Sequence, residues 1–204
     1  VKQAFSCIGE LGIEGCGFEM QLEAARRALD PTLDINPGFI RKDAFLAIIF
    51  ITDEDDCSAR NPQLFDPQQQ ALTDPLGPLT SFRCFEFGIQ CDINDRMTAG
   101  ARKNCAPAYD WLHKVGDYIE FFRTLKPGQP VVMAAITGPS SPVVVAKNGN
   151  MVALQPSCQG AGGGAVPALR IDAVVSAFGG HRASICDSSY GTALSALGQA
   201  LSPR

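Results

Sequence analysis

Residues 44–56 read AFLAIIFITDEDD: an apolar run from Ala44 to Ile51 passes through Thr52 into four consecutive acids, Asp53, Glu54, Asp55 and Asp56. A run this rich in Ile and Phe, with no polar alternation, predicts a strand buried on both faces, and hence a parallel sheet covered by helices. In open α/β sheets, ligands bind just beyond the carboxyl ends of the strands, so the four acids stand where a hard cation would be met. The same residues also read as a solvated acidic loop that marks where the strand leaves the core.

The segments around this run alternate in period. Phe18, Leu22, Ala25 and Leu29 form a helical stripe, with Glu19 and Glu23 near its start, Arg26 and Arg27 near its end, and Pro31 as its stop. Ahead of it, residues 1–11 read as weakly helical and Gly12 to Gly17 as a turn. A second stripe (Leu112, Val115, Ile119, Phe122, Leu125) leads through Pro127 and Gly128 to PVVMAAIT (130–137), a second buried strand. VVV (143–145) and MVAL (151–154) flank Asn148–Gly149 as a β-hairpin, and GAGGGA (160–165) reads as flexible. A helix over 167–178 closed by Gly179 and Gly180, a strand at 183–186, and a helix from Ser188 to Leu201 capped by Asp187 or Ser188 complete the chain. Strands alternating with helices define an α/β fold, here a three-layer sandwich with a mainly parallel sheet. With about 150 residues per domain as a prior, residues 1–204 make a single domain. Residues 57–108 are an irregular insertion within it, in which SFRCFEFGIQC (81–91) alternates like a small hairpin.

Eight cysteines with no CxxC pair, and only two histidines, His113 and His181, point to disulfides rather than zinc. Sequence does not choose among the pairings. Locally, Cys7 with Cys16 would close a short loop and Cys158 with Cys186 would bracket a helix, while Cys57, Cys84, Cys91 and Cys105 would staple the insertion. Oxidised cysteines imply export, to a periplasm, an outer cell surface or the medium. The chain begins at Val1 with no signal peptide, so the N-terminus reads as removed or never captured. A net charge of −4 and scattered Lys and Arg argue against nucleic acid. No stretch approaches the roughly 18 continuous apolar residues of a membrane span; a lipid anchor upstream is compatible with this.

The order helix, FLAIIFITDEDD, helix, PVVMAAITGP, helix, ASICD, helix resembles the second part of a von Willebrand factor type A domain, most closely its cysteine-rich, lipoprotein-like exported members, for which IFITDEDDCS and SFRCFEFG look typical. In that family a buried strand ends in a Thr-Asp pair whose Asp belongs to a metal-ion-dependent adhesion site; Thr52 and Asp53 stand at that point. Glu14-Gly15-Cys16 occupies the family's Gly-Gly-Thr loop, with Cys16 replacing the metal-associated Thr. The Asp-x-Ser-x-Ser motif has no counterpart, and further strands and a helix would be needed ahead of Val1. Expressed alone, such a chain is expected to be poorly stable, with an unpaired apolar edge.

On this reading the metal candidates are Asp53, nearest the strand end, with Asp55 and Asp56, and the ion is Mg²⁺ or Ca²⁺. Thr52 and Glu54 are binding residues. A hard ion needs about six or more oxygens, more than one loop supplies, so water, a partner's acid or a missing strand would complete the shell. Cys16 is a poor ligand for such ions. CDIND (91–95) lacks the Gly and Glu of a calcium loop and reads as a stapled turn. His113 reads as a packed side chain and His181 as a residue beside helix-terminal carbonyls. With no GxSxG, no HExxH and no phosphate-loop Lys, the chain is not expected to be an enzyme. The expected function is that of an exported binding or adhesion module that meets a protein or cell-surface ligand at the carboxyl edge of its sheet. The alternatives are a secreted metal-dependent hydrolase built on the TDEDD acids, and a structural domain with a degenerate metal site.

Overall fold

The computed structural model describes residues 17–201, together with Gln3 and Gly15. Cys7, Cys16 and the expected helix and turn at the N-terminus lie outside these. The chain forms a mixed α/β fold around a parallel sheet of three strands: β1 (Leu46–Ile51), β5 (Val131–Thr137) and β10 (His181–Ser184), in the order β1-β5-β10. Around them run α1 (Gln21–Leu29), α3 (Val115–Thr124), α4 (Leu169–Ala177) and α5 (Gly191–Ala200). Both strands foreseen as buried and parallel pair directly, Leu46 opposite Val131 through Ile51 opposite Ile136.

The main core lies on one face of this sheet. Leu46, Ile48 and Phe50 of β1 and Val131, Met133 and Ala135 of β5 pack against Leu22 of α1, Tyr118 and Phe122 of α3, and Ile171, Val174 and Val175 of α4. The positions on each strand alternate, as a period of two requires, and those on the helices fall three and four apart. The expectation that β1 is buried on both faces is corrected here. Its burial alternates, and Ile49 and Ile51 are 41% and 59% exposed. β1 is an edge strand whose outer side chains are only partly covered among the described residues, whereas β5, between two strands, is buried almost throughout.

The insertion is more regular than its composition suggests. It holds a 3-10 turn (Pro62–Phe65), α2 (Phe82–Gly88), and the short strands β2 (Ile89–Gln90), β3 (Gly100–Arg102) and β4 (Ala106–Pro107). The hairpin expected over 81–91 is instead a helix followed by β2. Phe82, Arg83 and Cys84 are all buried, and three successive inward side chains suit a helix packed all round rather than a strand, whose neighbours point to opposite faces. Two disulfides, Cys57–Cys84 and Cys91–Cys105, staple this segment, and Cys158–Cys186 joins the chain on either side of α4.

The hairpin of β6 (Val143–Asn148) and β7 (Met151–Leu154) forms as expected and gains β3 as a third antiparallel strand. GAGGGA, expected to be flexible, instead belongs to a second hairpin, β8 (Cys158–Gly160) with β9 (Gly163–Ala165). Glycine suits it because the sheet approaches other backbone closely: a Cβ on Gly160 would collide with Cys186.

Candidate functional site

The carboxyl ends of β1, β5 and β10 lie side by side and are tied together by backbone hydrogen bonds. The Thr52 N–H donates to the Ile136 carbonyl (3.2 Å), Ile185 N–H to Thr137 (3.0 Å), and Val166 N–H to the Asp53 carbonyl (2.9 Å). Gly138 passes so close to Val166 that a side chain there would strike its carbonyl oxygen. The rim thus gathers residues 52–54, the chain after Thr137, the segment around Val166, and Ile185–Asp187, the last held to β8 by Cys158–Cys186.

Within the acidic run the side chains divide. Asp56 is fully buried, and its carboxylate accepts from Leu22 N–H (2.9 Å), Ser58 N–H (3.2 Å), Ser58 Oγ (2.5 Å) and Arg170 Nε (3.1 Å). Arg170 is itself buried, and its remaining guanidinium nitrogens donate to the carbonyls of Ala108 (3.1 Å) and His113 (2.7 Å). Asp55 accepts from the N–H groups of Arg170 and Ile171, and Ser58 Oγ from that of Glu23. The first turns of α1 and α4 have no side-chain cap from their own N-cap residues, Met20 and Ala168. Asp56 with Ser58 and Asp55 supply those caps from the loop after β1, satisfying orphan N–H groups where the helix dipole favours negative charge.

Thr52 is buried and donates through Oγ1 to Glu19 (2.8 Å) while accepting from Gln21 Nε2 (2.9 Å) and Glu54 N–H (3.2 Å). Asp53 is exposed and Glu54 partly buried, and among the described residues neither forms an ion pair with Lys or Arg. Burial, followed by the neighbouring Glu19 and Asp53 carboxylates, raises the pKa of Glu54, and the Ser81 hydroxyl only partly offsets this.

Burial likewise pushes Asp55 up to about 6, against the lowering pull of the Arg170 N–H and charge. Because this folded pKa lies above the usual carboxylate value of 3.8, the stabilising contribution of Asp55 is present below pH ~4 and lost as pH rises through ~6. Replacing Asp55 with Asn, which keeps an oxygen for the helix N–H groups, is expected to remove that dependence. In urea unfolding at pH 4, 5, 6 and 7, the stability of D55N relative to wild type should rise with pH across this window. A difference that stays flat or falls would show that Asp55 is not held neutral by its surroundings.

The residues named from sequence for a cation are therefore not assembled as one donor set. Asp56 and Asp55 spend their oxygens on helix N–H groups and Arg170, leaving Asp53 alone facing solvent, and a hard ion held by this loop would lack most of its roughly six or more oxygen ligands. Among the described residues no group of three or more His, Cys, Asp or Glu side chains is placed to hold a metal ion. Asn94 of CDIND bonds back onto the Cys91 backbone, forming the stapled turn. The His113 ring meets Tyr118 edge-on, and His181 opens β10. Sequence reasoning missed Arg170, which reads there as one polar residue in an apolar helix, and missed Glu19, whose link to Thr52 crosses 33 positions. Comparison with known proteins gives no match to a family model, to a curated protein or to a solved structure.

Proposed function

We propose that this chain is a von Willebrand factor A-like binding module of an exported protein, part of a three-layer sandwich, which meets a protein ligand at the carboxyl rim of its parallel sheet. The observation that carries this reading is the division of the acidic run. Asp55 and Asp56 brace the loop from inside, while Asp53 and Glu54 are held at the rim with no basic partner among the described residues. A rigid scaffold presenting charge on a loop is the usual construction of a recognition surface. Three disulfides fit an oxidising compartment, and no helix of the described residues is long and apolar enough to cross a membrane. Recognition here needs no cation, because Asp55 and Asp56 serve as caps.

Photo-cross-linking tests the proposal. A photoreactive residue at Asp53 or Asp187 on the rim should give an adduct of defined mass in the producing culture, unchanged by a chelator, and one at Gln129, at the opposite end of β5, should not. Adducts equally frequent from Gln129, or none from the rim, would refute it; adducts lost on chelation would restore a bridging cation. Turnover of an ester or phosphoester panel, abolished by D53A, would favour the hydrolase reading instead.

A further inference from the structure

Beside the rim, a cavity of about 150 Å³ opens between Glu54, the start of α2 and strand β7. Phe85, Leu154 and Val166 line its sides, Met151 stands at 70% exposure among its lining residues, and Glu54, Asp55, Thr80 and Ser81 are the oxygen-bearing side chains of its lining. The Thr80 hydroxyl oxygen is removed from solvent and has no hydrogen-bond partner among the described residues. Buried polar atoms are nearly always satisfied, so an unpartnered hydroxyl on a residue lining a cavity marks the place of a missing hydrogen-bond partner.

We propose that this cavity takes a lysine side chain of a protein partner. The inference rests on the reading of the rim as a protein-binding surface and names the anchor. Small-molecule sites typically span about 300–1,000 Å³, so this space suits one side chain. Its mixture of apolar flank and acidic end matches a methylene stem carrying a cation. The charge is decided by Glu54, with Glu19 and Asp53 nearby and no Lys or Arg paired to any of the three among the described residues. An acidic side chain would be repelled, and a neutral apolar one would add no donor to the Ser81 hydroxyl that already serves Glu54 and none for Thr80. An ammonium brings three donors on a compact head, for which Glu54, Ser81 and Thr80 offer oxygens, whereas the planar guanidinium fork of arginine calls for paired coplanar acceptors.

The test is an amide NMR titration of the whole chain at low salt, with acetyl-Ala-Lys-Ala-amide as probe and its norleucine and arginine counterparts as controls. The lysine peptide is expected to shift the amides of Glu54, 80–85 and 151–154, and the norleucine peptide to leave them in place. Glu54→Gln should weaken lysine-peptide binding about tenfold or more, as loss of a charge-assisted hydrogen bond implies. Thr80→Val should weaken it by a smaller factor, and Asp53→Asn, outside the cavity lining, less than either. An equal response to norleucine, an arginine peptide bound more tightly, shifts scattered over other surface acids, or affinity indifferent to Glu54→Gln would each overturn the assignment. Rim cross-links obtained without any lysine response would sink this pocket and leave the binding module standing.

Discussion

Asp56→Ala is expected to destabilise the fold by about 3–5 kcal/mol, the range for removing one partner of a buried ion pair. The carboxylate receives four donors, from the start of α1, from Ser58 and from Arg170. Its removal strands a guanidinium that is 1% exposed and, among the described residues, has two backbone carbonyls left as partners. Arg170→Met should cost less, since Asp56 keeps three donors. The double variant should be more stable than the sum of the two losses predicts, with a coupling of about 1–3 kcal/mol. Urea unfolding of the four species measures this cycle; additive losses would mean that the pair is not coupled.

The second large effect falls in the insertion. Arg83 is buried, and its guanidinium donates to five backbone carbonyls, those of Leu64, Asp66, Gln69, Gly77 and Pro78, with no carboxylate among them. It sits among the backbone of a loop whose own buried apolar residues are few, Leu64, Leu72, Leu76 and Phe82. Arg83→Met is expected to cost about 3–5 kcal/mol, because carbonyls shaped around a cation lose their donors together. Arg83→Lys should recover less than half of that, since a point ammonium with three donors does not span a ring of five acceptors. Unfolding midpoints, with proteolysis between residues 66 and 79 as a local readout, decide the matter. Full rescue by Lys would show that charge alone, and not the fork, organises the loop.

These residues also explain what could be read from the chain in advance. The strands at β1 and β5 and the β6–β7 hairpin follow from local period and turn chemistry, visible in a linear string, whereas the direct pairing of β1 with β5 and the choice of Cys186 as the partner of Cys158 are set by the fold. The exposed outer side of β1 is not visible in the string either, because an edge strand and a central strand are equally apolar in sequence, and only neighbours distinguish them. The helix at 82–88 was hidden by a chance alternation of Phe with polar residues, and tertiary partners for three adjacent side chains overrode it. In the acidic run, composition located the rim, but which acids turn inward depends on Arg170, 114 positions from Asp56. A loop has no periodicity from which such orientation can be read.

The same guanidinium has a consequence for the order in which the protein is made. Residues near positions 56, 108, 113 and 170 meet on one side chain, and β5 lies between a strand that begins at residue 46 and one that begins at residue 181. A ribosome must therefore have finished most of the chain before these contacts can close. Long-range closure of this kind slows folding and prolongs the exposed, unpaired stage. The disulfides Cys57–Cys84, Cys91–Cys105 and Cys158–Cys186 then join segments 14 to 28 positions apart, so their oxidation limits how far the chain can reopen once these contacts have closed.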